Sequence, residues 1–142
     1  MANLKELRDE RLRKLEALRT LGVNPYPAKS SRTHQTKEIL EDFEKLEGKT
    51  ATVAGRILGI RKFGKLAFLV LKDASGQIQL FLKDGTVEAT APEEGQIGLE
   101  HLNLLDSGDF VEATGPIIKS KTGETSVEVH ALRLLTKSLR PM

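Results

Sequence analysis

From Ala51 to Lys83 the chain reads ATVAGRILGIRKFGKLAFLVLKDASGQIQLFLK, and its second half alternates with a period of two. Successive residues of a strand face opposite sides, so Ala67, Leu69 and Leu71 share one side with Ile78, Leu80 and Leu82 of the next strand. That side is aliphatic throughout and suits a core. The other side carries Phe68, Gln77, Gln79 and Phe81. Aromatic rings stack on nucleobases and amides hydrogen-bond to base edges, so these four make a candidate surface for single-stranded nucleic acid. A sheet face covered by another element would show the same pattern, and the alternation alone leaves both readings open.

Around this stretch lie 142 residues, enough for one ordinary domain with an extension and too few for a typical multi-domain enzyme. Without cysteine there is neither a disulfide framework nor a thiolate metal site, and His34, His101 and His130 lack metal-ligand spacing. This composition suits a reducing, cytoplasmic setting and predicts no metal. The N-terminus, MANLKELRDERLRKLEALRT, alternates charges where a secretion signal has an apolar run, and no stretch is long and apolar enough for a membrane span.

The net charge of +2 conceals an uneven distribution. Residues 1–65 hold 15 Lys and Arg against 9 Asp and Glu, whereas residues 66–142 hold 7 against 11. Segment 84–112 carries eight acids and no Lys or Arg, so it is expected to face away from a polyanion.

Leucines at 4, 7, 12, 15, 18 and 21 predict an amphipathic helix from Asn3, a fair N-cap, to about Leu21, with Gly22 as its stop. NPYPAKSSRTH, with two prolines, reads as extended chain. A second helix is predicted from a Thr36 cap to Leu46, with Ile39, Leu40, Phe43 and Leu46 as its apolar stripe. From Lys49 onward the period changes to two, with strands at about 50–59, 66–73, 76–83, 108–118 and 124–134. The turn Asp73-Ala74-Ser75-Gly76 joins the second and third into a hairpin. Ile97, Leu99, Leu102 and Leu105 suggest a short helix between the third and fourth.

Mainly β with N-terminal helices, five strands and a short helix after the third: this is the order of an OB-fold, the Greek-key barrel that binds oligonucleotides across strands two and three and through the loops between strands one and two and between four and five. Both loops are basic here. The first holds Arg61, Lys62 and Lys65, and the second holds Lys119 and Lys121. With Arg56, these cations are candidate phosphate contacts, although a solvated loop would carry the same charges. Glu124, which opens the last strand, looks misplaced beside a polyanion unless its carboxylate accepts a hydrogen bond from a base N–H.

Gly59 to Lys65 has the GxxxxGK spacing of a phosphate-binding loop, but Leu66 stands where Ser or Thr is required, and a strand follows where a helix must begin. Gly64 is more simply a hairpin turn. No GxSxG, HExxH or GxGxxG motif occurs, so no catalytic centre is visible.

Several segments together resemble the N-terminal region of a bacterial-type class II lysyl-tRNA synthetase: LGVNPYP at 21–27, TH at 33–34, VAGRI at 53–57, RKFGK at 61–65, FLVLKD at 68–73, GQIQL at 76–80, KTGE at 121–124 and LRLLTKSLRPM at 132–142. The resemblance covers nearly the whole chain. It implies a helical extension over 1–48, an anticodon-binding OB domain over 49–135, and the start of a linker over 136–142. The partner it implies is the uridine-rich anticodon of lysine tRNA, with Phe68 stacking on a base, Gln79 bonding to the central uridine, Glu124 reading a uridine edge and Arg61 holding the loop. Uridine offers an N3–H donor between two carbonyl acceptors, which an amide and a carboxylate complement. Strand one has Leu58-Gly59-Ile60 where many relatives carry a further basic or polar residue.

On the same resemblance, ATP and magnesium would serve a catalytic domain following Pro141 in a homodimeric parent, and this chain alone would have no cofactor and no ligase activity. Two other classes stand beside it. One is a free-standing OB protein for single-stranded RNA or DNA, which would bind oligo-C nearly as well as oligo-U. The other is a structural dimerisation module built on the N-terminal helix, which would self-associate without binding RNA.

Overall fold

The computed structural model describes residues 3–23, 30–89 and 91–139. Expected features at 24–29, within the proline-containing extended stretch, and at 140–142 lie outside the described residues.

Helix α1 spans Leu4–Thr20, and the Asn3 side chain accepts from the Glu6 backbone N–H at 2.8 Å as its cap. The predicted leucine stripe is only partly buried. Leu15 and Leu18 pack inward with Arg11, but Leu4, Leu7 and Leu21 are exposed, so the helix buries side chains only from Arg11 onward, and it contacts the 3-10 segment at Leu99–Leu104. The second predicted helix is two short ones, α2 at Thr36–Glu41 and α3 at Phe43–Leu46, broken at Asp42. Its N-cap is Gln35, whose N–H donates to Glu38 Oε1 at 3.0 Å. Thr36 is instead the first helical residue, and its N–H and hydroxyl both donate to the Asp73 carboxylate at 2.9 Å.

The strands are β1 (Thr50–Phe63), β2 (Leu66–Lys72), β3 (Gln77–Lys83), β4 (Gln96–Ile97), β5 (Phe110–Lys119), β6 (Thr125–Glu128) and β7 (Ala131–Thr136). Antiparallel pairing joins β1 to β2, β2 to β3, β6 to β5 and β5 back to β1, and a parallel pairing joins β3 to β6. A five-stranded barrel of the OB type is thereby closed. The expected fifth strand is in two pieces because one edge of β5 serves both. Its Ile117–Lys119 end pairs with β6 and its Phe110–Thr114 end with β7, and the chain bends between them at Val129-His130. Gly115 faces that bend. A Cβ there would lie 1.8 Å from the Glu128 carbonyl oxygen, so only glycine allows the approach. Between β3 and β5 the expected helix is a pair of 3-10 segments, Pro92–Glu94 and Leu99–Leu104, flanking β4.

Ile57, Ala67, Leu69, Leu71, Leu80 and Leu82 are fully buried with Val111, Ile117, Val127, Leu132 and Leu134, and Ile39 of α2 joins the same core. The inward face is therefore the one the alternation predicted. Beside the barrel, Lys137 is buried between Asp109 at 2.7 Å and Asp106 at 2.8 Å, and Lys14 of α1 meets Asp106 at 2.7 Å. Burial opposes ionisation of Asp106, but hydrogen bonds and charge from Lys137 and Lys14 outweigh it and hold the carboxyl below its usual range. This cluster ties the helix to the chain leaving β7.

Candidate nucleic-acid interface

The outward face of the barrel is organised in cross-strand rows. Arg61 of β1 lies opposite Phe68 of β2, Phe68 opposite Phe81 of β3, and Phe81 opposite Glu128 of β6. Two residues along, on the same face, Gly59, Val70, Gln79 and Ser126 form the next row. Phe63, Leu66 and Lys83 form the row on the other side.

Simple alternation from the buried Val53, Gly55 and Ile57 would have sent Gly59, Arg61 and Phe63 into the barrel. The register shifts between Ile57 and Gly59, leaving Leu58 as one extra residue, a β-bulge. Beyond the bulge, Ile60 takes the inward position and Arg61 and Phe63 turn outward to join Phe68. The Leu58-Gly59 step inside a strand was the available signal, since an isolated glycine in a strand pattern marks such bulges.

Three rings cluster as a result. Phe68 and Phe81 have centroids 5.2 Å apart with planes at 55°, and Phe63 meets Phe68 edge-on at 6.2 Å. The Arg61 guanidinium carbon lies 5.7 Å from the Phe63 centroid. These rings floor a groove of about 680 Å³, whose other wall is Ile118 to Thr122. Small-ligand clefts run from about 300 to 1,000 Å³. Its polar groups are of several kinds: cations from Arg61, Lys83, Lys119 and Lys121, the Gln79 amide, the Thr122 hydroxyl and the Glu128 carboxylate. Lys119 is held from behind, its ammonium 4.7 Å from the Phe43 ring centroid of α3. The groove can thus offer flat apolar faces to bases, donors and acceptors to their edges, and positive charge to phosphates.

Of the residues singled out in the sequence, Arg61, Phe68, Gln79, Phe81, Lys119 and Lys121 line this groove. The others stand apart. Lys62 and Lys65 are exposed at the β1–β2 hairpin tip, where Gly64 takes φ 59°. Strand β1 runs to Phe63, so the expected basic loop is mostly strand end. Gln77 is exposed at the far end of β3, opposite Lys72. Arg56 lies over the Phe110 ring, 4.8 Å from its centroid, in a separate depression of about 440 Å³ that also holds Arg32 and Lys72. Glu124 precedes β6 and is exposed without lining the groove. Its backbone N–H donates to Ser120 Oγ at 3.1 Å, and its carbonyl accepts from Ser120 N–H at 2.9 Å. Phe63, Lys83 and Glu128 also line the groove and were not among the expected contacts. Glu128 could have been found, since Val127 and Val129 point inward and so direct Ser126 and Glu128 outward.

Residues 51–135 match the family model described as the OB-fold nucleic acid binding domain. Similar proteins include lysine–tRNA ligases from Clostridium botulinum strain Hall (42% identical over 138 residues), Carboxydothermus hydrogenoformans (39% over 142) and Roseiflexus sp. strain RS-1 (43% over 145). These alignments cover 96%, 98% and 97% of this chain, but only 26%, 27% and 28% of the respective ligases. The chain therefore spans about a quarter of the length of the curated relatives it matches. No helix among the described residues is long and apolar enough to cross a membrane.

Proposed function

The chain belongs to the family of OB-fold nucleic acid binding domains, and from that premise we propose that its groove receives the unpaired, uridine-rich anticodon bases of a lysine tRNA. The observation that carries this reading is the Arg61–Phe68–Phe81 row with Gln79 in the adjacent row, all lining one groove walled by Lys119 and Lys121. Similarity to lysine–tRNA ligases supports the choice of tRNA. In this reading Phe68 and Phe81 stack on bases, the Gln79 amide pairs with a uridine edge, and the lysines and Arg61 attract phosphates. Glu124, beside the groove wall, offers its carboxylate to a base N–H from outside the lining. In this proposal residues 49–135 are the binding domain, 1–48 a helical extension and 136–142 the start of a linker. Ligation of lysine, with its ATP and magnesium, belongs to chemistry that these residues do not carry.

Titrating the chain with anticodon stem-loops bearing UUU, UCU and CCC tests the reading. Tighter binding of UUU than of the other two is expected, with the preference over UCU shrinking in Gln79→Ala. Equal affinity for all three would indicate a general single-strand binder instead. Absence of RNA affinity together with self-association would leave a structural module.

A further inference from the structure

Ser126 lies in the row of Gln79, paired with it across the parallel β3–β6 ladder, and is completely buried. Its hydroxyl donates to the Glu124 carbonyl oxygen at 3.2 Å and accepts from Gln79 Nε2 at 3.1 Å. A serine hydroxyl has one hydrogen. With that hydrogen on the Glu124 carbonyl, its oxygen offers only lone pairs to Gln79, so the amide turns its NH2 group toward Ser126. The Gln79 carbonyl oxygen and its second N–H are then left for whatever enters the groove.

We infer that Ser126 is a positioning residue that sets selectivity for uridine over cytidine by fixing which way round the Gln79 amide stands. The inference rests on the uridine reading above and adds to it the group that enforces discrimination. Uracil presents an N3–H donor beside carbonyl acceptors, and an amide meets it with C=O to N3–H and N–H to O4. Cytosine presents an N3 acceptor beside an N4 amino donor, and the same amide meets it after a half-turn. A glutamine free to turn therefore reads both bases. Turning Gln79 in this barrel would set its carbonyl oxygen against the Ser126 lone pairs and forfeit the 3.1 Å bond. The cytidine-reading orientation is disfavoured by about the net worth of one buried hydrogen bond, roughly three- to tenfold in the ratio of affinities.

The test is a double-mutant cycle read as the UUU-to-UCU affinity ratio of stem-loops, in wild type, Ser126→Ala, Gln79→Ala and the double variant. Both ligands meet the same folded population, so the ratio is insensitive to any loss of stability. The expected result is a roughly three- to tenfold fall in the ratio for Ser126→Ala, with no further fall when Ser126→Ala is added to Gln79→Ala. A wild type that prefers UUU together with an unchanged ratio in Ser126→Ala would overturn the positioning role while leaving the uridine reading intact. So would a fall of the same size in the Gln79→Ala background, which would mark Ser126 as acting on the groove generally. A wild type that binds both loops alike would overturn the uridine reading and this inference with it.

Discussion

Phe68 and Phe81 face each other across the β2–β3 ladder with ring centroids 5.2 Å apart, on the side of the sheet opposite the fully buried Leu69 and Leu80. Both rings are half-buried, touching each other and the groove. This two-sided arrangement separates the cost of binding from the cost of folding. Phe68→Ala removes one stacking platform and should weaken an anticodon stem-loop by about 1–3 kcal/mol. It also removes an aromatic pair, a loss of about 0.5–1.5 kcal/mol beyond the buried area, but opens no interior cavity of the kind that costs about 3–5 kcal/mol when a core Phe is truncated. Melting curves measured beside binding isotherms check both halves. A sharp fall in stability with unchanged binding per folded molecule would place the ring in the core.

The cations divide by position, and salt dependence should reveal the division. Lys119 and Lys121 wall the groove, whereas Lys62 and Lys65 stand at the exposed hairpin tip. Each phosphate contact to single-stranded RNA contributes about 0.7 to the slope of log affinity against log salt. Replacing Lys119 and Lys121 with Ala should therefore flatten the slope by about 1.4, for all loop sequences alike. The Lys62/Lys65 pair should lower it by less. Isotherms at several salt concentrations decide the matter, and an unchanged slope without Lys119 and Lys121 would remove the groove wall from the phosphate path.

The barrel was legible in the sequence because its core obeys a period of two: Ala67, Leu69, Leu71, Ile78, Leu80 and Leu82 are all buried as the alternation required. What escaped depends on single residues that break the period. The Leu58 bulge turns Arg61 and Phe63 outward, and the strand drawn by alternation, at about 50–59, stops short of both. The bend after Glu128 divides the last strand where β6, held between β3 and β5, gives way to β7, held between β5 and β4, a constraint of barrel closure that no local pattern carries. Gln77 and Arg56 share the parity of the reading face yet lie at its far end or beside another depression. Parity specifies a face. Position along the strand specifies the groove, and that depends on which residues the neighbouring strands bring alongside.

Asp73 links the β2–β3 turn to the start of α2, and its titration should be visible in the acid limb of stability. Burial opposes its ionisation, but hydrogen bonds from the Ser75 hydroxyl, the Thr36 and Ser75 backbone N–H groups and the Thr36 hydroxyl outweigh that, holding the carboxyl at about 2 instead of 3.8. Because the folded state favours the ionised form, the contribution is complete above the unfolded value of 3.8 and is lost as pH falls through about 2. Asparagine keeps the size of the side chain but not the charge that strengthens these bonds. Asp73→Asn should thus melt below wild type near neutral pH, and the gap should close as pH is lowered from 3.8 toward 2. The comparison isolates this residue from Asp106, which both proteins retain. A gap that stays constant over that range would mean the Asp73 charge does not hold the turn against α2.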